Sequence, residues 1–194
     1  MRNFNQAADN NKAPILKELQ RLFSAPGTLL EIGSGSGQHA MHMANLLPGV
    51  IWQPTEVSGN LPLLTENLSA VHCSCLMEPL ELEVGQHWPD GSYRYAYLAN
   101  VLHIIAEELL RDLFAGLRRL VQPGGMLACY GPFKYGGSFT TDSNARFDDW
   151  LRRNYSAAGI RDIETIADEA ELADFRCIDD IAMPANNQLL VFCR

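Results

Sequence analysis

Glycine recurs at every second position in residues 31–37, Glu-Ile-Gly-Ser-Gly-Ser-Gly, directly after the apolar pair Leu29-Leu30. The apolar run is too short for a helix and predicts a buried strand. Glycine lets the chain turn sharply out of a strand and lets a ligand approach the backbone closely. Residues 38–47 then carry apolar side chains at helical spacing. Strand, turn and helix together predict a binding site for a nucleotide-type cofactor.

The acidic residue of this segment bears on which cofactor the turn would hold. Glu31 stands two positions before Gly33, where a carboxylate repels a pyrophosphate and attracts a sulfonium or ammonium group. Residues 35–40, Gly-Ser-Gly-Gln-His-Ala, also fit the dinucleotide pattern G-x-G-x-x-A. From this segment alone, a site for S-adenosylmethionine (SAM), a site for NAD and a glycine turn without a ligand all remain open.

Apolar periodicity and turn residues predict strands that alternate with helices, which favours a mainly parallel sheet with helices on both faces. A polar segment, residues 3–11, leads into a first helix with Pro14 in its first turn. The predicted strands are 29–32, 50–55, 79–84, 95–100, 126–130, 177–183 and 188–193, and the later helices are 38–47, 61–68, 107–121, 145–154 and 162–171.

The order of these elements predicts a fold as well as its class. The short link between the last two strands predicts a C-terminal antiparallel hairpin, and residues 131–160 form an insertion on the substrate side. We therefore expect an α/β, Rossmann-like fold with a seven-stranded, mostly parallel sheet. The order favours SAM over NAD, because a dehydrogenase would need a further substrate domain.

Length, charge and cysteine content narrow the function classes. The 194 residues suit a single domain, residues 1–194, and the net charge of −8 argues against nucleic-acid binding. No apolar stretch has membrane-spanning length and no signal core is seen, so we expect no membrane association and a cytoplasmic location.

Cys73 and Cys75 follow His72, but no second ligand pair accompanies them, and no metal is predicted. The oligomeric state is left open.

Several strings elsewhere in the chain are specific. They lie at residues 11–16 (Asn-Lys-Ala-Pro-Ile-Leu), 52–56, 100–104 (Asn-Val-Leu-His-Ile), 130–133, 143–148, 159–162 and 183–187 (Met-Pro-Ala-Asn-Asn). With the glycine turn, they resemble a small family of SAM-dependent class I methyltransferases, the methyltransferase-like twenty-six type, over nearly the whole chain. The resemblance implies the class I methyltransferase fold and SAM as cofactor, with S-adenosylhomocysteine as product. Glu56 and Glu83 stand where that pattern has aspartate.

The predicted cofactor contacts lie in the glycine turn and at strand ends. Glu56, at the end of the second strand, can accept hydrogen bonds from both ribose hydroxyls. Glu31 either orients the glycine loop or meets the methionine ammonium, and Glu83 would meet the adenine amino group. The predicted set is Glu31, Gly33, Ser34, Gly35, Gly37, His39, Glu56, Glu83 and Asn100.

His103 is the candidate general base, because histidine takes up a proton near neutral pH. The alternative is a histidine that packs the first turn of a helix. Tyr130 is the second catalytic candidate. Arg161 could bind a carboxylate or phosphate with two parallel bonds, or could form a structural ion pair with Asp148 or Asp162. The predicted substrate contacts are Phe133, Asn144, Phe147, Asp148, Arg161, Asn186 and Asn187.

These residues predict a SAM-dependent methyltransferase that acts on an unidentified small molecule. The alternative is a SAM-binding protein without transferase activity, which would act as a regulator or with a partner. Because fold does not settle function, the methyl acceptor and the methylated atom stay undefined at this stage.

Overall fold

A computed structural model describes all 194 residues. Its strands are β1 (Gly27–Ile32), β2 (Val50–Glu56), β3 (Leu80–Glu81), β4 (Tyr93–Ala99), β5 (Val121–Gly131), β6 (Lys134–Tyr135), β7 (Ser138–Phe139), β8 (Arg176–Met183) and β9 (Asn187–Cys193). Its α-helices are α1 (Gln6–Leu22), α2 (Gln38–Met43), α3 (Leu61–Leu68), α4 (Leu110–Leu120), α5 (Asp142–Asn154) and α6 (Ile163–Leu172).

Seven strands form one sheet in the order β3-β2-β1-β4-β5-β9-β8, and β6 pairs with β7 in a separate hairpin. The first five strands of the sheet pair in parallel, and only β9 runs against its two neighbours. The predicted seven-stranded, mostly parallel sheet with an antiparallel C-terminal hairpin is therefore confirmed. The last strand, β9, lies between β5 and β8, so the hairpin closes inward onto the sheet.

Side chains that alternate along the central strands build a core on each face of the sheet. Leu30 and Leu98 lie in the core covered by α4 and α6, whereas Leu29 and Tyr97 lie in the core covered by α1, α2 and α3. A strand buried on both faces has to be apolar throughout, as the run 29–32 is apart from Glu31. The parallel pairing brings the carboxyl ends of β1, β2, β4 and β5 to one edge.

Helix α1 begins eight residues before Pro14, so the prediction of a polar lead-in with Pro14 in the first turn is wrong. The Asn5 side chain accepts hydrogen bonds from the backbone N–H groups of Ala7 and Ala8, which caps the helix there. Proline in a helix interior removes one backbone hydrogen bond. The helix continues through it because its apolar face, including Ile15 and Leu19, is buried against the sheet.

Several element boundaries differ from the sequence prediction. Strand β3 has two residues rather than six, because the chain turns at Glu83, whose N–H donates to the carbonyl of His87 (2.8 Å). Strand β5 begins at Val121, directly after α4, so the Pro123–Gly125 turn lies within the strand's span. Asp162 precedes α6 as predicted, but its carboxylate accepts from the N–H of Gly137 and does not cap the helix.

No helix in this fold combines the length and the apolar character needed to cross a membrane.

Candidate functional site

The turn after β1 holds three glycines in the left-handed region, with φ of 69° at Gly33, 58° at Gly35 and 83° at Gly37. A Cβ at Gly37 would lie 2.8 Å from a methyl carbon of Leu68, so glycine is required there for space as well. A Cβ at Gly35 would meet nothing within 4 Å. The space beside Gly35 is therefore open, although Gly35 does not line either of the two cavities described below.

Glu31 lies buried beneath this turn and does not line a cavity. Its Oε2 accepts hydrogen bonds from Ser34 Oγ (2.7 Å) and from Trp52 Nε1 (2.8 Å). Burial, and to a smaller extent the nearby charge of Glu56, raises the pKa of this carboxyl to about 7 against the effect of the two donors. Of the two roles predicted for Glu31, the geometry matches the one that orients the glycine loop.

Glu56, at the end of β2, joins the glycine turn to the neighbouring strand. Its Oε2 accepts from the N–H of Gly35 (2.7 Å), and its Oε1 accepts from the N–H of Val57 (3.1 Å) and from Asn60 Nδ2 (3.3 Å). A carboxylate has about four acceptor positions, so one remains for a ligand and the long contact to Asn60 could open a second. Asn60 was not predicted from the sequence.

Glu56 also lines the first cavity, which has a volume of about 470 Å³ and lies at the carboxyl edge of the sheet. Gly33 and Asn100 line the same cavity, and apolar side chains such as Leu82 and Val101 form much of its wall. A wall that is largely apolar, with a few fixed polar groups, is typical of small-molecule sites.

Glu83 lines the far side of the first cavity, from the turn that follows β3. Its Oε1 accepts from Gln86 Nε2 (2.7 Å), and Gln86 lines the cavity as well. The strand predicted to carry Glu83 ends two residues earlier, so the turn places this carboxylate at the cavity.

Asn100, directly after β4, lines both the first cavity and a second cavity that is described below. Its backbone is left-handed (φ 59°), a conformation that asparagine tolerates better than most residues, and its N–H donates to the carbonyl of Tyr130 (2.8 Å). Its side-chain amide makes no hydrogen bond within the protein. Backbone strain of this kind persists where surrounding structure enforces it, which is common at binding sites.

The second cavity has a volume of about 370 Å³ and is walled by α1, α5, the end of β5 and the loop before β9. It brings together the predicted residues Asn144, Phe147, Tyr130 and Asn187. It also contains residues that were not predicted as site residues, among them Asn10, Asn11 and Ser143. Asn11 could have been found, because it is a polar residue four positions before Ile15 on the apolar face of α1.

Tyr130 is nearly buried in the wall of the second cavity. Burial raises the pKa of its phenol, although the nearby side-chain amides of Asn11 and Asn187 act in the opposite direction. The phenol therefore stays protonated at neutral pH. In that state it can donate a hydrogen bond, but it cannot act as a general base.

His103 is buried behind the second cavity rather than in its lining. Its ring meets Phe147 edge to face, with the centroids 5.4 Å apart. Gly131, which has no side chain, lies between His103 and Asn100. A Cβ built on it would be 3.7 Å from His103 Nδ1 and 3.9 Å from Asn100 Oδ1. Burial, together with the Arg161 cation, lowers the pKa of His103 to about 4. The imidazole is thus neutral at pH 7, and its role as general base stays a prediction.

Arg161 and Asp148 do not line the second cavity, in contrast to the sequence prediction. Arg161 donates to the carbonyls of Leu102 (3.1 Å), Ala157 (2.7 Å) and Ile105, and it pairs with Glu107. Four of the five N–H donors of this guanidinium are engaged within the protein, which leaves no pair of free donors for a substrate anion. These contacts match the structural alternative for Arg161, with Glu107 as the ionic partner rather than Asp148 or Asp162.

Asp148 accepts hydrogen bonds from Arg152 Nε and from the N–H of Ile160, both at 2.6 Å, and so fixes α5 to the chain that follows it. Phe133 is buried in the core on the α4 side of the sheet. Asn186 is exposed and donates from Nδ2 to Ser143 Oγ (3.1 Å), beside the cavity but not in its lining. These three predicted substrate contacts therefore have structural partners in this fold.

His39, predicted as a cofactor contact, lies between α1 and the sheet instead. Its Nε2 is 2.8 Å from Asn11 Oδ1 and its Nδ1 is 3.0 Å from the hydroxyl of Tyr97. Burial lowers its pKa to about 4. The neutral imidazole donates to Asn11 and accepts from Tyr97, so it fixes α1 to β4.

Cys73 and Cys75 both donate from Sγ to Asn45 Oδ1, at 2.9 and 3.5 Å. No group of three or more His, Cys, Asp or Glu side chains in this structure is arranged around a common point.

The match to a family model covers residues 2–194. This chain belongs to the family described as "Protein of unknown function (DUF938)". That description gives the family no activity, and it does not confirm the narrower resemblance to the methyltransferase-like twenty-six type.

Solved structures of methyltransferases share the fold. An O-methyltransferase family protein from Burkholderia thailandensis matches with a TM-score of 0.80 at 16% identity, over 96% of this chain and 58% of the other. An O-methyltransferase family 2 protein from Planctomyces limnophilus, in complex with apigenin, gives 0.74 at 19% identity, over 87% and 51%. Human N-acetylserotonin methyltransferase, in complex with SAM, gives 0.73 at 15% identity, over 95% and 56%.

The likeness confirms the predicted Rossmann-like methyltransferase fold. This chain spans about half the length of the proteins it matches. At these identities the shared property is the architecture of the sheet and its helices, and function has to be argued from the site.

Proposed function

We propose that this protein is a SAM-dependent class I methyltransferase that acts on a small molecule. The observation that carries the proposal is the position of Asn100 in the lining of both cavities. A cofactor in the first cavity and an acceptor in the second would meet at this residue, at the carboxyl edge of a doubly wound sheet, where such folds bind their ligands.

The residues of the first cavity fit this cofactor. Glu56 has an acceptor position left for a ribose hydroxyl, and Gly33, which has no side chain, lines the same cavity and suits close approach of the ligand. Leu82 and Val101 offer apolar surface for adenine, and Glu83 offers an acceptor for its amino group. Glu56 and Glu83 would oppose a pyrophosphate, which favours SAM over NAD.

SAM, when bound, would supply a methyl group on a positively charged sulfur, so the protein has little covalent chemistry to perform. The contribution of the chain is to hold the acceptor in line and to exclude water, which together are worth on the order of 7–11 kcal/mol at best. Asn100 would orient groups on both sides of the junction, since its amide is free to donate and accept. Helix α5 and the loop before β9 close the acceptor side.

Two further observations support the proposal. The fold is shared with solved methyltransferases, including one in complex with SAM and one in complex with the small molecule apigenin. The sequence strings that resemble the methyltransferase-like twenty-six type span residues in both cavities.

All five cysteines are free, which supports the narrower proposal of a cytoplasmic location.

Calorimetric titration of SAM into the purified protein tests the cofactor. We expect micromolar binding that Glu56→Ala weakens by about 10- to 100-fold, because hydrogen bonds to a charged group contribute about 1.5–3 kcal/mol each. Glu56→Gln should fall between the two, and Glu108→Gln, at an exposed position outside the first cavity, is the matched control. Absence of SAM binding to the wild type, or NAD binding that SAM does not displace, would refute the proposal.

Turnover is tested with the same preparation and small-molecule extracts of cells. Formation of S-adenosylhomocysteine that depends on the extract supports the transferase. Tight SAM binding with no product from any extract would favour the SAM-binding protein without transferase activity.

A further inference from the structure

We infer that the second cavity binds an uncharged, planar molecule that donates hydrogen bonds from its edge, as an amide or a nitrogen heterocycle does. This inference rests on the proposed function for the reaction, and it names the class of acceptor for that site. The binding preference itself follows from the lining of the cavity.

The lining of the second cavity carries no formal charge. None of its twelve residues is Asp, Glu, Lys, Arg or His, whereas two glutamates line the first cavity. The nearby ionic groups, Arg161 and Asp148, are held by other partners, as described above. Burying a charged ligand without an ionic partner costs several kcal/mol. An uncharged ligand avoids that cost.

Two side-chain amides of the cavity, those of Asn144 and Asn187, have a fixed orientation. Asn144 Nδ2 donates to Thr140 Oγ1 (2.8 Å) and to the carbonyl of Asn186 (3.0 Å). Asn187 Nδ2 donates to the carbonyls of Pro184 and Ala185, both at 3.2 Å. Because backbone carbonyls only accept, these contacts fix which end of each side-chain amide is the oxygen.

Both amide nitrogens are therefore used up inside the protein, and both amide oxygens remain as acceptors. Asn144 is only 6% exposed. Its side-chain oxygen has no partner within the protein, yet it is not fully enclosed, so it borders open space. The cavity is the space that this oxygen faces. A ligand with N–H or O–H groups satisfies these oxygens, while Asn11, whose Oδ1 accepts from His39, keeps its amide N–H groups as donors for an acceptor on the same ligand.

Aromatic and proline side chains give the cavity flat apolar walls. Phe147 is fixed between His103, which meets it edge to face, and Trp150, which stacks on it with the centroids 6.0 Å apart. Tyr130 and Pro132 also line the cavity. Rigid flat surfaces of this kind favour a planar ring. A volume of about 370 Å³ is near the lower end for small-molecule sites, so the ligand is small.

Four single-ring probes separate these features: benzamide is uncharged and donates, methyl benzoate is uncharged and does not donate, benzoate is an anion and benzylammonium is a cation. Binding is measured by NMR titration of the labelled protein, with the side-chain amides of Asn144 and Asn187 as reporters. We expect benzamide to bind at least about tenfold tighter than the other three, since a site that leaves polar groups unpaired rejects the analogue that lacks their partner.

A negative charge placed on the wall should narrow the preference for benzamide over benzylammonium. Ser143→Asp adds a carboxylate in the first turn of α5, where it suits the helix dipole and can still accept from Asn186 Nδ2. We expect it to strengthen benzylammonium binding by about tenfold. Ser156→Asp, at an exposed serine outside the second cavity, should leave the order of affinities unchanged.

The inference is overturned if benzoate, benzylammonium or methyl benzoate binds the wild type as tightly as benzamide, if no probe shifts the two amide reporters, or if Ser143→Asp leaves the preference unchanged. These readouts require neither SAM nor turnover. Loss of probe selectivity with intact SAM binding removes the acceptor class alone. Probe selectivity without SAM binding removes the proposed reaction alone.

Discussion

Replacing Glu31 with glutamine should stabilise the protein at pH 8 and change its stability little at pH 5. The carboxyl of Glu31 is buried beneath the glycine turn, where it accepts from Ser34 Oγ and Trp52 Nε1. Burial raises its pKa from 4.5 to about 7, so the folded state holds this proton more tightly than the unfolded state does. Glutamine keeps an oxygen for both donors and never ionises.

The magnitude follows from the difference between the two pKa values, about 2.5, at about 1.4 kcal/mol for each unit. Below pH 4.5 the carboxyl is protonated in both states and costs nothing. As the pH rises from 4.5 to about 7, the unfolded state loses the proton first and the free energy of unfolding falls. Above pH 7 the group is ionised in both states, and the full cost of about 3 kcal/mol remains.

Urea unfolding of the wild type and of Glu31→Gln, between pH 5 and pH 8, measures this cost. We expect the variant to be more stable by about 3 kcal/mol at pH 8 and by less than about 1 kcal/mol at pH 5. Comparing variant with wild type at each pH cancels the contributions of other groups, including His39 and His103. Glu108→Gln, at an exposed position, is the control and should show no such trend. A stability difference that is the same at every pH would refute the buried, raised-pKa description of Glu31.

Two further predictions concern the glycine turn and Arg161. Gly37→Ala should destabilise by about 1–3 kcal/mol more than Gly35→Ala, because both positions are left-handed but only the first places a Cβ 2.8 Å from Leu68. Equal losses in urea unfolding would contradict that. Arg161→Lys should cost about 2–4 kcal/mol in the same assay, because three backbone carbonyls lose their planar donor. SAM affinity of the folded variant should not change, and loss of benzamide binding at wild-type stability would restore the substrate role predicted for Arg161.

Most of the fold could be predicted from the sequence because its signals are local. The glycines after β1 report a turn that only glycine makes easily, and the helix over residues 61–68 has the bounds that its apolar spacing predicts. The predictions failed where packing overrode a local rule. Helix α1 runs through Pro14 because its buried face stabilises it, and β3 is short because the chain turns at Glu83 to meet His87.

The sequence by itself determined the residue types at the carboxyl edge of the sheet: the glycine turn, the acid at the end of β2 and Asn100 after β4. Such residues follow directly from strand ends, which the pattern of hydrophobicity locates. Only the tertiary structure decided which polar side chains face a cavity. In the folded chain Arg161 donates to backbone carbonyls, and Asp148 accepts from the N–H of Ile160. The fold also brings Asn11 of the first helix into the same cavity as Asn144 and Asn187. The physical reason is that a buried polar group must find partners, and those partners come from segments far apart in the chain.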